Sequence, residues 1–135
     1  MTEAVLQAER AAGGWTSFRL RGGPDVAAQA RAAIRSLVPA LDDAEGDVEL
    51  IVSELVTNAY RHAGTPELPI EVDLSVDGSL VRGEVTDSGP GFTAAPVPAD
   101  RRGVGGWGLH IVESLSDRWG VRAGPPSSVW FELRR

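Results

Sequence analysis

Val48-Glu49-Leu50-Ile51-Val52-Ser53-Glu54-Leu55-Val56-Thr57-Asn58-Ala59 decides how this chain folds. Its apolar residues fall at 48, 51, 52, 55, 56 and 59. That spacing lays one buried stripe along an α-helix. At about 100° per residue, Glu54 and Asn58 stand one turn apart on the same side, at the edge of the stripe. Arg61 follows one turn later. A carboxylate and an amide at a core boundary need compensating partners. They form either a helix flank with an ordinary Glu–Arg contact or part of a site. Asp42 or Asp43 is placed to cap this helix, and Gly64-Thr65-Pro66 to stop it.

Working outward, Trp15-Thr16-Ser17-Phe18-Arg19-Leu20 alternates apolar and polar and predicts a strand. Gly22-Gly23-Pro24-Asp25 is a turn into an alanine-rich helix that runs to Val38 and ends at Pro39. Residues 1–14 read as a frayed or weakly helical lead. Downstream, 70–76 and 80–86 are strands, with Asp77-Gly78 as a hairpin signal between them. Residues 93–105 read as a mobile loop, 106–116 as a helix, and 118–123 and 129–133 as strands joined by Gly124-Pro125-Pro126. The expected architecture is one α/β domain over 15–135. It is a two-layer sandwich, with a mixed, mostly antiparallel sheet carrying helices on one face.

Composition narrows the function. The 135 residues are 42% hydrophobic, enough for a core, with no run near the ~18 residues of a membrane span. The N-terminus shows no secretory signal pattern, and a cytoplasmic protein is the expectation. There is no cysteine, which excludes disulfides and thiolate metal sites. A net charge of −6 argues against a general nucleic-acid binder. All 13 basic residues are arginine, so a Walker-type phosphate loop, which needs its lysine, is excluded. Asn58 is the only asparagine.

Two glycine-rich pieces accompany the helix. Asp87-Ser88-Gly89-Pro90-Gly91 ends a strand. Its glycines let a planar ligand approach the backbone, and its aspartate can accept from an exocyclic amine; the alternative is an Asx-type turn. Gly103-Val104-Gly105-Gly106-Trp107-Gly108-Leu109 leads into a helix, whose unpaired N–H groups favour phosphate; the alternative is a loop before a cap.

In this order the three pieces resemble the GHKL ATPases, the superfamily of gyrase, MutL and the histidine kinases. Glu54-Leu55-Val56-Thr57-Asn58-Ala59 looks like the N box, Asp87-Ser88-Gly89-Pro90-Gly91 like the first glycine motif, and Gly106-Trp107-Gly108-Leu109 like the second. The likeness covers about 15–133 and is nearest to the stand-alone anti-sigma factor serine kinases of the RsbW type, including the segment Glu113-Ser114-Leu115-Ser116-Asp117-Arg118-Trp119-Gly120. The resemblance implies ATP and Mg²⁺ as cofactors. Asn58 would ligate Mg²⁺, a hard ion suited to an amide oxygen. Glu54 would be the general base. Asp87 would hydrogen-bond the adenine amine, with Gly89 and Gly91 shaping its pocket. Gly105, Gly106, Trp107, Gly108 and Leu109 would bring backbone to the phosphates, and Arg61, Arg101 and Arg102 would contact them. The chain departs from better-known members in lacking a lysine near the N box and in carrying Pro96 and Pro98 in the lid.

The same resemblance implies a serine/threonine-protein kinase that phosphorylates an anti-anti-sigma factor and sequesters a sigma factor. A nucleotide-binding switch with little turnover is the alternative. It also implies a protein partner and allows a homodimer; direct nucleic-acid or membrane binding is not expected. His62 is expected at a core edge and His110 on a solvated face, with no metal-site spacing between them. Trp15, Trp119 and Trp130 are expected to pack the sheet.

Overall fold

The computed structural model describes residues 5–11, 14–37, 39–62, 69–87, 107–122 and 126–134. Six strands form one sheet: β1 (Val5–Ala11), β2 (Trp15–Leu20), β3 (Ile70–Asp77), β4 (Leu80–Asp87), β5 (Arg118–Arg122) and β6 (Ser127–Arg134). The described chain also holds three α-helices, α1 (Val26–Leu37), α2 (Glu45–His62) and α3 (Trp107–Leu115), and a 3₁₀ turn between the first two. The strand order is β1-β2-β3-β4-β6-β5. Every neighbouring pair is antiparallel, so the expected mixed sheet is wholly antiparallel among the described residues.

Alternation along the strands decides which face is covered. Phe18, Leu20, Ile70, Val72, Leu74, Val81, Val85, Val129, Phe131 and Leu133 are buried and point one way. They form one core with Ala30 and Ile34 of α1, Val48, Ile51, Val52, Leu55, Val56 and Ala59 of α2, and Leu109 and Val112 of α3. The α2 stripe is therefore the one the sequence predicts. α2 is the middle of the helical layer, touching α1 on one flank, α3 on the other, and β3 and β4 beneath. Arg35 ties the first two helices together through two contacts to the buried Glu49 carboxylate, at 3.2 and 3.0 Å.

Three expectations change. Residues 5–11 form a strand on the sheet edge, not a frayed or helical lead, because β2 offers them a ladder from Val5↔Leu20 to Ala11↔Trp15. α2 begins at Glu45. A 3₁₀ turn, Pro39–Ala44, comes first, with Asp42 at a kink (φ 50°). The β3–β4 hairpin turns on Gly78-Ser79, with Asp77 paired to Leu80. Gly78 takes φ 61°, the left-handed value a two-residue hairpin of this kind gives to glycine. The expected stop at Gly64-Thr65-Pro66 lies outside the described residues.

Candidate functional site

The residues expected from the sequence to form a site lie on α2, at the last position of β4 and at the start of α3, and α2 contacts both β4 and α3. On α2, Glu54 is half-buried, Asn58 is buried and Arg61 is exposed. The ordering follows from the helix wheel: Asn58 lies nearest the apolar stripe, Glu54 at its rim, and Arg61 over solvent. Hydroxyls further shape this surface. Thr57 donates to the Ser53 carbonyl at 2.7 Å and Ser53 to that of Leu50 at 3.0 Å. Such back-bonding occupies the hydroxyls within the helix and favours a slight bend.

Asp87 ends β4 and is 1% exposed. Its place in the alternation, after Val81, Gly83 and Val85, turns it toward the helical layer. It is paired with Ile70 on one side and Ser127 on the other, so three strands fix its backbone. A carboxylate held this firmly on a sheet floor is positioned to read a hydrogen-bond donor arriving from above.

Ser127 is a residue the sequence reasoning missed. It faces the same layer, is 1% exposed, and its Oγ has no hydrogen-bond partner among the described residues. An unsatisfied buried hydroxyl costs about 1–3 kcal/mol, so it calls for a partner. Directly opposite residues on antiparallel strands have Cβ atoms about 4.5–5.5 Å apart, which puts Ser127 beside Asp87. The only signal in the sequence is a serine pair at 127–128, and its significance depends on register with a strand 40 residues earlier.

Leu109, expected near phosphate, has its side chain in the core, where it anchors the first turn of α3. Trp107 and Gly108 open that helix; the Trp107 side chain lies outside the described residues, as does that of His62. Gly89, Gly91, Arg101, Arg102, Gly105 and Gly106 also lie outside them. His110 is half-buried on α3. Among the described residues no group of three His, Cys, Asp or Glu side chains is arranged to hold a metal. Asn58, buried on α2, offers an amide oxygen, a hard donor of the kind a magnesium ion accepts. No described helix is long and apolar enough to cross a membrane.

The three tryptophans divide between the two sheet faces. Trp119 packs against the core, while Trp15 and Trp130 follow the opposite alternation and lie half-buried on the open face. A shallow cavity of about 260 Å³, lined by Asp42, Asp43, Gly78 and Ser79, lies at the far end of β4 from Asp87.

The fold recurs in solved structures. The RsbU and RsbW domains of Rv1364c from Mycobacterium tuberculosis align at 20% identity with a TM-score of 0.63, over 87% of this chain and 32% of that one. The histidine kinase domain of the blue-light activated histidine kinase from Erythrobacter litoralis EL346 aligns at 26% identity with a TM-score of 0.49, over 66% of this chain and 43% of that one. The chain thus spans less than half the length of either. No curated protein matches it significantly. The profile of the histidine kinase-like ATPase domain matches residues 20–130, most of the sequence, and the chain belongs to that family, the GHKL ATPases its motifs resemble.

Proposed function

We propose that this chain binds Mg–ATP over α2, β4 and α3 and transfers the γ-phosphoryl group to a serine or threonine of a protein partner. What supports the reading is that Asn58 and Asp87 are buried polar residues on α2 and on β4, two elements that contact each other, with Glu54 one turn from Asn58, within a histidine kinase-like ATPase domain. Asp87, seconded by Ser127, would accept from the adenine amine and orient the base. Asn58 would present its amide oxygen to the magnesium ion, which when bound neutralises phosphate charge. Glu54, at the rim and half-open to solvent, would take the proton of the incoming hydroxyl as its oxygen bonds to the γ-phosphorus. The bond from that phosphorus to the bridging oxygen breaks, leaving ADP and a phosphorylated side chain. The fold shared with an RsbW-containing protein supports a partner drawn from the anti-sigma circuitry, an anti-anti-sigma factor as substrate or a sigma factor as client.

Two measurements test this. Mg–ATP at 100 times its Kd should stabilise the chain by about 2.7 kcal/mol, and no thermal shift at saturating nucleotide would remove the pocket. With labelled ATP and anti-anti-sigma proteins as substrates, Glu54→Ala should abolish transfer while leaving the thermal shift near normal. Transfer that survives Glu54→Ala removes the base assignment. Binding without transfer by the native chain leaves the nucleotide switch as the function.

A further inference from the structure

The outward side of α2 carries a feature that the nucleotide contacts leave unused. Leu50 is 43% exposed, the one large apolar side chain in the open among the described residues. It sits opposite the buried stripe and takes no part in the core. Leu50, Glu54 and Thr57 follow one another at i, i+4 and i+7, so they form one line along the helix. Leu50 is thus the immediate neighbour of the proposed base, on the turn toward the N-terminal end of α2. Ser53 and Thr57 flank Glu54, but their hydroxyls donate to the Leu50 and Ser53 carbonyls. Neither hydroxyl proton competes for the Glu54 carboxylate.

The surroundings of Leu50 are acidic. From Ser36 to Tyr60 the sequence has no basic residue. Asp42, Asp43 and Asp47 are exposed, and Glu45 is half-buried at the start of α2. Glu49, the carboxylate next to Leu50 in sequence, is buried and tied to Arg35. The line leading away from Glu54 therefore meets a leucine first and Asp47 second. A single exposed leucine is ordinary on a protein surface. Its place one turn from a base that must reach a protein substrate is what gives this one a role.

We propose that Leu50 docks the phosphoacceptor segment of the substrate, selecting a serine or threonine with an aliphatic residue two positions away and a basic residue four positions away. This rests on the kinase reading above. Proton transfer to Glu54 requires the substrate hydroxyl within about 2.6–3.2 Å of the carboxylate. A segment that brings a hydroxyl so close also passes over the adjoining turn, and Leu50 is only about 6 Å further along the axis. In an extended segment, residues two apart face the same way and lie roughly 7 Å apart. The second neighbour of the phosphoacceptor therefore lands on Leu50. An apolar side chain there takes the exposed part of Leu50 out of water, whereas a polar one would be desolvated without a partner. The fourth neighbour, roughly 14 Å along, comes to Asp47, which is about 10 Å from Glu54 and within reach of a long basic side chain. The segment runs toward the N-terminal end of α2, because Asn58 and the proposed triphosphate take the other direction.

The test is steady-state transfer from labelled ATP to anti-anti-sigma proteins, using the full chain. Leu50→Ala should raise KM for the protein substrate roughly three- to tenfold, the share of a leucine's transfer free energy that its exposed part represents. The kcat and the Mg–ATP thermal shift should hold. Leu50→Asp should raise KM further, and Leu50→Met, which conserves volume, should restore it. Asp47→Asn should raise KM roughly two- to threefold, and less at high salt. Alanine at the substrate position two from the phosphoacceptor should match the effect of Leu50→Ala, and the two changes together should add little, as for groups in direct contact. Leu50 is outside the core, so these variants fold, which circular dichroism melts verify. Transfer by Leu50→Asp with an unchanged KM overturns the docking assignment and leaves the kinase reading standing. Effects of the two alanine changes that simply add overturn the contact in the same way. A native chain that shifts with Mg–ATP yet phosphorylates none of the substrates overturns the kinase reading, and the docking assignment with it.

Discussion

Replacing Gly83 by alanine tests the core that supports the site. Gly83 is on β4, paired with Leu74 on one side and Phe131 on the other, and its missing side chain is filled by the Phe131 ring. An added Cβ would lie 2.3 Å from Cζ and 2.5 Å from Cε1 of Phe131, and 2.8 Å from Cδ2 of Leu74. Carbon atoms rest at about 3.5–4.0 Å, so the ring must move by more than an ångström. Phe131 and Leu74 are both fully buried and have nowhere to go. Overpacking of this kind costs about 1–3 kcal/mol or more, while removing glycine from the unfolded chain returns only about 0.4–1 kcal/mol. The steric effect wins, with a net loss of about 1–2 kcal/mol. At roughly 3–6 °C per kcal/mol for a domain of this size, Tm should fall by roughly 3–12 °C. Thermal melts followed by circular dichroism measure it. Adding Phe131→Leu should recover part of the loss, giving a coupling of opposite sign to the single effects. A Gly83→Ala chain as stable as the native one would refute the packing of this row.

Other expectations follow from single groups. Ser127→Ala should leave stability unchanged or raise it, by relieving a buried hydroxyl, yet weaken ATP binding roughly three- to tenfold for the loss of a ~1 kcal/mol hydrogen bond. Unchanged affinity by titration calorimetry would exclude Ser127 from the pocket. Arg35→Ala should destabilise by about 1 kcal/mol in urea melts, since Glu49 is buried while its arginine is largely exposed; no loss would mean the pair contributes nothing. Burial, with Glu84 nearby, raises the Asp73 carboxyl above its ordinary 3.8, although the hydrogen bond from Ser17 works the other way. The folded chain therefore holds that proton more tightly than the unfolded chain, and stability from this group is lost as pH rises from 3.8 through the raised value. Asp73→Asn should then stabilise the chain at pH 7 and give no gain below pH 3.8. A loss at pH 7 would show that Ser17 outweighs burial.

What could be read from the sequence depended on how local its cause was. The α2 stripe, the Ile70 and Leu80 strands and the hairpin between them are written in periods of 3.6 and 2 and in one turn glycine, so they were legible. β1 was not. Ala, Glu, Gln and Arg dominate Val5–Ala11 and favour helix, and only the ladder offered by β2 makes the segment a strand. The placing of Glu54, Asn58 and Arg61 followed from the wheel. The pairing of Asp87 with Ser127 did not, because it needs the register of two strands separated by α3 and β5.

The position of β6 bears on how the molecule is made. It follows every other element in sequence yet lies inside the sheet, between β4 and β5. While a ribosome is still building residues 127–134, β4 has a bare edge, β5 has no strand beside it, and Phe131 is missing from over Gly83. The helices and the Asp87 end of β4 come earlier in the chain but cannot be locked together before β6 is in place. Completion of the sheet is thus a late, long-range step of the kind that slows folding and leaves an edge open to aggregation. Chaperone demand should fall on the nascent chain in this interval, and a synonymous slowing of translation before Ser127 should lower soluble yield without altering the finished protein.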